Sequence, residues 1–299
     1  MESVHKTVLL NETIEGLNLK PNSTVIDCTF GGGGHSAEIC LRYPGTKIIA
    51  LDRDESAFEK ARSKFSDLSC NVIFKNMNFR DMEKLRDPEL FEKVDGIVFD
   101  LGLSSDQLEN SGRGFSFRKD EPLLMTMKAN LVPEDVTAGD IVNHWKEETL
   151  ANIIFGYGEE RYSRRIAKGI IEARKKGEIK TTSDLVKIIE NSVPAVYRRG
   201  KTHFATRTFQ ALRIAVNDEL QALEDGLIKG FDILRPGGRM AVISFHSLED
   251  RRVKRFFREV AKNGEAKLIN KKPIIATNEE TKINPRSRSA KLRILEKVI

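Results

Sequence analysis

The sequence is poor in the residues that build metal and disulfide scaffolds. Its three cysteines, Cys28, Cys40 and Cys70, form no C-x-x-C pair and lie in or beside apolar runs, which predicts buried reduced thiols rather than bridges or zinc ligands. The five histidines are scattered, with no H-E-x-x-H or other spacing that sets two ligands on one ion, so no metal is expected. No run of about 18 apolar residues occurs, and the opening MESVHKTVLLNETIEG has no basic stretch followed by an apolar one. A membrane partner and secretion are therefore not expected, and a cytoplasmic location is.

What remains describes a globular chain. Of 299 residues, 39% are hydrophobic and 31% charged, and 50 basic against 44 acidic residues leave +6. Such a surplus tolerates a polyanionic partner without requiring one. Apolar runs bounded by turn residues at 24–28 (TVIDC), 47–51 (KIIAL), 71–74 (NVIF) and 96–101 (GIVFDL) read as buried parallel strands, with helical segments at 35–42 and 55–65 between them. This alternation predicts an α/β doubly wound sheet. Roughly a hundred residues of helical periodicity follow, including an amphipathic stretch at 160–176 and a helix at 184–191 capped by Thr182 or Ser183. That is far longer than an ordinary connection. The expected organisation is a first domain at 1–103 and 208–299, interrupted by a helical domain at 104–207. A long helix over about 208–234 returns the chain to a fifth strand (RMAVISF), and 267–269 with 292–299 form a closing antiparallel pair of the kind found in methyltransferase sheets.

Ligands of open parallel sheets bind beyond the carboxyl ends of the strands. There the first strand runs from Asp27 into Gly31-Gly32-Gly33-Gly34, and the second ends at Asp52, placed as an acid that holds ribose hydroxyls. Glycines alone are equally consistent with a tight turn; the strand, helix and acid around them point to an adenosine-type ligand. Asp27, Asp52 and Asp100 crowd the strand ends. One like-charge contact at about 4 Å costs roughly 4 kcal/mol at an effective dielectric near 20, so this rim disfavours a pyrophosphate and suits a cationic ligand. Asp54 is expected instead to cap the following helix.

The chain closely resembles the bacterial 16S ribosomal RNA (cytosine-N4)-methyltransferase family, also called MraW or RsmH. The resemblance runs nearly end to end, through HKTVLLNETIEGL from His5, DCTFGGGGHS from Asp27, LDRD from Leu51, FDLGLSSDQL from Phe99, RGFSFR from Arg113, YGEER from Tyr157, ATRTFQALRI from Ala205, SFHSLEDRRVKRF from Ser244 and NPRSRSAKLR from Asn284. It implies a class I methyltransferase domain, mostly parallel in its sheet, with an inserted α-helical domain for substrate recognition. It implies S-adenosylmethionine as cofactor and methylation of one cytidine in the decoding region of 16S rRNA of the small ribosomal subunit. Carried over by motif, the cofactor contacts fall on Gly33, Gly34, His35, Asp52, Phe79, Asp100 and Gln107, with Phe79 near the adenine. The stretch between Val260 and Pro285 is short for the family.

Methylating an exocyclic amine requires positioning of a weak nucleophile. Where many amino-methyltransferases carry D/N-P-P-Y/F, this chain has Asp100-Leu101-Gly102-Leu103, which makes Asp100 a candidate catalytic base. His246, after the fifth strand, is the second catalytic candidate, set against a structural role bonded to a neighbouring Ser or Glu. Basic stretches offer phosphate contacts: Arg251, Lys254, Arg255 and Arg258 beside Phe256 and Phe257, then 197–207 (YRRGKTHFATR) and 285–293 (PRSRSAKLR). Two other readings compete: an NAD-dependent oxidoreductase, favoured only by the glycine turn and Asp52, and a non-enzymatic RNA-binding assembly factor.

Overall fold

The computed structural model describes residues 7–85 and 94–299; the opening His5 and Lys6 of the first motif lie outside them. Two compact units divide the chain, one of residues 1–102 and 220–299 and one of residues 103–219.

The first unit runs α1 (Leu10–Leu17), β1 (Thr24–Asp27), α2 (Gly34–Arg42), β2 (Lys47–Asp52), α3 (Ser56–Ser66), β3 (Asn71–Asn76), a 3-10 helix (Phe79–Leu85) and β4 (Val94–Asp100). The second unit supplies α4 (Ser105–Glu109), α5 (Ala138–His144), α6 (Glu147–Gly158), α7 (Ser163–Arg174), α8 (Thr182–Ser192), α9 (Ala195–Arg198) and α10 (Thr206–Asn217). The first then resumes with α11 (Glu219–Ile233, whose opening Glu219 still belongs to the second unit), β5 (Leu234–Ser244), α12 (Ser247–Lys262), β6 (Ala266–Leu268), α13 (Asn278–Ile283) and β7 (Lys291–Lys297). The seven strands lie in the order β3-β2-β1-β4-β5-β7-β6. β1 to β5 pair in parallel, while β7 runs antiparallel to both β5 and β6. This is the expected doubly wound α/β sheet with its antiparallel closing pair.

Alternate residues of each central strand enter two separate cores. Val25, Ile48, Val98, Ala241 and Ile243 pack beneath Ile14 of α1, Ile39 of α2 and Phe58 and Phe65 of α3. Ile26, Ile49, Ile97, Phe99 and Val242 pack on the other side against Leu223 and Leu227 of α11 and Val253 and Phe257 of α12. Helices on both faces explain why the strands read as unbroken apolar runs rather than alternating ones. Phe257 enters this core as expected, and Phe256 packs against it partly buried.

Four sequence expectations give way here. The helix over 208–234 is two helices, because Asp218 takes a left-handed conformation (φ 49°, ψ 42°) between them. Asn217 fixes that break: its amide nitrogen donates to the carbonyls of Met125 (2.7 Å) and Arg213 (2.9 Å), and its oxygen accepts from Met127 N (2.8 Å). Asn and Asp tolerate the left-handed region, so no glycine or proline marks it. α10 accordingly packs within the second unit against α6, and the units divide at 219/220 rather than 207/208. The cap of α8 is Thr181, in a reciprocal capping box with Asp184. Finally, Cys40 of α2 and Cys70, just before β3, are joined as a disulfide with Cα atoms 5.5 Å apart, while Cys28 is the buried free thiol. The packing of α2 brings together two cysteines 30 residues apart, a proximity no local spacing signals.

The glycine turn rests on an aromatic cluster: Phe30 lies 5.4–5.6 Å, centroid to centroid, from Phe58, Phe65 and Phe74. Phe30→Ala is expected to lower the unfolding free energy by about 3–5 kcal/mol, read as a lower urea midpoint. A cost below about 1 kcal/mol would show that the cluster does not support the turn.

Candidate functional site

Beyond the carboxyl ends of β1, β2 and β4, short-range bonds shape one crevice of the first unit. After Asp27 the chain turns through Gly31 (φ 50°) and Gly33 (φ 67°), both in the left-handed region that glycine adopts without strain. A Cβ on Gly33 would sit 2.6 Å from the Phe30 ring, and one on Gly34 would meet Thr7 Oγ1 at 1.8 Å. α2 then begins with Gly33 as its N-cap and no side chain capping it. Its first backbone N–H groups and the positive end of the helix dipole thus suit an anionic group.

The acids divide into braces and ligand-facing groups. Asp27 is 2% exposed and turns inward, accepting from Ser36 Oγ (2.6 Å) and Thr29 N (3.2 Å). It braces the turn rather than lining the rim, contrary to the sequence expectation; Ser36 and Thr29 are the partners that sequence reasoning missed. Asp52 accepts one backbone N–H on each oxygen, from Gly31 (2.8 Å) and Asp54 (2.8 Å), which fixes its plane and leaves lone pairs for hydroxyl donors. Asp54 itself accepts from Ser56 N and Oγ at the start of α3, whose N-cap position is Glu55 rather than the expected Asp54.

Asp100 is held by its backbone, its N–H donating to Thr29 Oγ1 at 2.6 Å. Its Oδ2 lies 3.7 Å from Nδ1 of buried His35, the second residue of α2. Its Oδ1 is buried with no hydrogen-bond partner among the described residues. Burial, then the charges of Asp27 and Glu249, push its carboxyl up to about 8. Burial likewise lifts Asp27 to about 6 against the bonds from Ser36 and Thr29, and raises Asp52 against those from Asp54 and Gly31. Three acids resisting ionisation in one crevice form a site that a cation completes. A ligand that brings hydroxyl donors and positive charge would match this donor set.

The remaining candidates take other places. Phe79 opens the 3-10 helix, half-buried, edge-on to Phe99 at 5.3 Å and pressed against Gly226, where a Cβ would come within 2.6 Å of its ring. Gln107 belongs to the second unit and is 8% exposed; its Oε1 accepts from Ser104 N (3.0 Å) while its own N–H donates to Ser104 Oγ (3.1 Å), a capping box at the start of α4. His246 is the N-cap of α12. Its Nδ1 accepts from Glu249 N at 3.4 Å and its Nε2 lies 3.2 Å from Glu249 Oε1, so the alternative structural role against a neighbouring Glu is the one it occupies. The basic stretch at 285–293 is partly neutralised within the protein, since Asp250 pairs with Arg293 (2.7 Å) and Lys291 (3.4 Å). Arg251, Arg255 and Arg258 on α12 are exposed and Lys254 is half-buried. Among the described residues no helix is long and apolar enough to cross a membrane.

Comparison with known proteins places these features in context. The model of the MraW methylase family matches residues 2–298. The chain is similar to the ribosomal RNA small subunit methyltransferase H of Brevibacillus brevis (strain 47 / JCM 6285 / NBRC 100599), 42% identical over 310 residues and covering 98% of each chain. It is similar to the protein of the same description from Paenibacillus sp. (strain JDR-2), 43% identical over 316 residues and covering 98% of this chain and 99% of that one. A solved rRNA methylase from Streptococcus thermophilus superposes with a TM-score of 0.45 at 13% identity over 98% of both chains.

The raised carboxyl of Asp100 has a consequence for stability. Between its ordinary value of 3.8 and about 8, the native state keeps a proton that the unfolded chain has released. Stability contributed by the protonated form therefore falls as pH rises through this range, and the cost is complete above about 8. Melting temperatures of the ligand-free protein should fall more steeply between pH 6 and 9 for the wild type than for Asp100→Asn; parallel curves would contradict the buried, raised carboxyl.

Proposed function

This chain belongs to the MraW methylase family, and on that premise we propose that it transfers a methyl group from S-adenosylmethionine to the exocyclic N4 amine of one cytidine in the decoding region of 16S rRNA, acting in the cytoplasm on the small ribosomal subunit. The observation that carries this reading is the crevice where Asp52 and Asp100 face a ligand position beside the bare start of α2. A nicotinamide dinucleotide would bring its pyrophosphate against these carboxylates, which argues for the methyl donor. The intact ligand-facing groups argue for an enzyme over a non-catalytic assembly factor.

When bound, S-adenosylmethionine supplies an electrophilic methyl group on a sulfonium. The protein's part is positioning and proton handling. Gly33 and Gly34 let backbone approach the ligand closely, His35 packs beside Asp100, Asp52 orients the ribose, and Phe79 completes the proposed contacts within the first unit. Asp100 has two linked tasks. A neighbouring positive charge would hold it ionised, and without one its proton affinity is high. Its Oδ1 would accept the proton that leaves the cytosine amine as the N–C bond forms. A group whose affinity for the proton follows the charge of its ligand serves as both electrostatic partner and base. His246 caps α12 through Nδ1 and is the second candidate for the acceptor side.

Small subunits lacking the modification, incubated with the protein and S-adenosylmethionine, should gain one methyl group on a cytosine N4, mapped by mass spectrometry. A methyl on another base or on protein would overturn the substrate assignment. Asp100→Asn is expected to lower kcat by about 10²–10⁴-fold, the range of general-base contributions. Full turnover with unchanged cofactor affinity would remove Asp100 from the chemistry.

A further inference from the structure

Positive charge is concentrated in part of the second unit. Residues 157–207 hold thirteen Lys and Arg against six Asp and Glu, a surplus of +7 in a chain whose total is +6. Some of it is answered locally: Lys168 lies 3.8 Å from Glu172, Lys180 3.8 Å from Glu178 and Arg198 3.4 Å from Glu190. Arg161, Arg165, Arg199 and Lys201 are exposed and have no carboxylate within ion-pair distance among the described residues.

Around Tyr197 this charge is built onto an aromatic base. Glu160, at 0% exposure, accepts the Tyr162 N–H at 2.8 Å on one oxygen and the Tyr197 hydroxyl on the other. The hydroxyl bond fixes the Tyr197 ring on a buried carboxylate, and the Tyr162 ring meets it edge to face at 5.0 Å and 70°. The Arg161 guanidinium lies 4.9 Å from the Tyr162 centroid and 5.2 Å from that of Tyr197, and Arg165 lies 5.8 Å from Tyr162. Arg165 and Lys168 continue along the exposed side of α7, opposite buried Ile166 and Ile170. Arg207 is anchored to the carbonyl of Glu159 at 2.8 Å, and its charge, like that of Arg161, acts on the Tyr197 phenol. Val196, next to Tyr197, is 85% exposed.

A solvated charged face needs neither a buried carboxylate to orient its tyrosines nor unneutralised guanidiniums held over them. We propose that this face of the second unit docks a single-stranded stretch of the RNA substrate, with phosphates on Arg161, Arg165, Arg199 and Lys201 and an unstacked base against the Arg161–Tyr162–Tyr197 group. The occupant follows from the chemistry. Guanidinium and ammonium groups match phosphates, and planar groups interleaved with them match base faces, which a duplex hides and an acidic peptide lacks. Glu160 is a positioning residue here, setting the Tyr197 ring against which Tyr162 and Arg161 pack. The assignment rests on the proposed RNA substrate, and its test separates the two.

The double variant Arg161→Ala/Arg165→Ala changes exposed side chains and should leave cofactor affinity by calorimetry as in the wild type. Its binding of a short labelled single-stranded RNA, read by fluorescence anisotropy, should weaken at least about tenfold. The dependence of log K on log salt should flatten by about 1.4, for two contacts at about 0.7 each. A control pair removing the same charge from exposed positions of the first unit, Lys271→Ala/Lys272→Ala, should change affinity less than about twofold. In methyl transfer to small subunits the Arg161/Arg165 pair should raise KM with kcat held. Equal losses from the two pairs would reduce the effect to net charge, and competition by polyglutamate or anionic vesicles as effective as RNA per charge would make the face a general anion surface; either overturns the proposal. If the wild type methylates small subunits and the Arg161/Arg165 pair has normal KM, the docking face fails while the proposed function stands. If the wild type transfers no methyl to small subunits yet its RNA binding depends on Arg161 and Arg165, the proposed function fails and the face stands.

Discussion

Crowding of carboxylates at one end of a parallel sheet is the constraint around which the first unit is arranged. Parallel strands deliver their carboxyl ends to the same edge, so Asp27, Asp52 and Asp100, each closing its strand, come together where the dielectric is low. The protein relieves the repulsion unevenly. Ser36 and Thr29 satisfy Asp27, backbone N–H groups of Gly31 and Asp54 satisfy one lone pair on each oxygen of Asp52, and Asp100 keeps an unpartnered oxygen. The unevenness underlies the proposed division of labour, in which Asp27 braces the turn, Asp52 orients a ribose and Asp100 answers positive charge.

The turn that brings these groups together depends on packing behind it. Phe30 contacts Phe58, Phe65 and Phe74 and leaves no room for a side chain on Gly33, while Thr7 closes the space beside Gly34. The glycines are thus required twice, by backbone angle and by neighbours, and the bare start of α2 is the product. In the second unit a different buried acid, Glu160, performs a comparable service by fixing the Tyr197 ring beneath Arg161. In both units a carboxylate without access to water holds the geometry of groups that have it.

Much of the first unit was legible in the sequence because a sheet covered on both faces leaves continuous apolar runs, and because a strand-glycine-helix junction followed by Asp52 has few other uses. What escaped depends on contacts distant in the chain. The turn at Asp218 is set by Asn217 reaching Met125 and Met127, the meeting of Cys40 and Cys70 by the packing of α2, and the inward orientation of Asp27 by Ser36. The cap that His246 forms with Glu249 on α12 was visible in the sequence only as the alternative of a bond to a neighbouring Ser or Glu. Basic residues were visible as clusters, but only the structure distinguishes Arg293 and Lys291, neutralised by Asp250, from Arg161 and Arg165, which have no carboxylate partner among the described residues.

The central claim is that Asp100 gives the crevice its preference for a positively charged ligand, and it is tested most directly by comparing two ligands that differ by that charge. S-adenosylmethionine carries a sulfonium, and its demethylated product S-adenosylhomocysteine a neutral thioether. Titration calorimetry of both, on the wild type and on Asp100→Asn, should show the variant losing affinity for the charged ligand by about tenfold or more relative to the neutral one, the effect of roughly 1.4 kcal/mol of differential interaction. An unchanged ratio of the two dissociation constants would contradict the account.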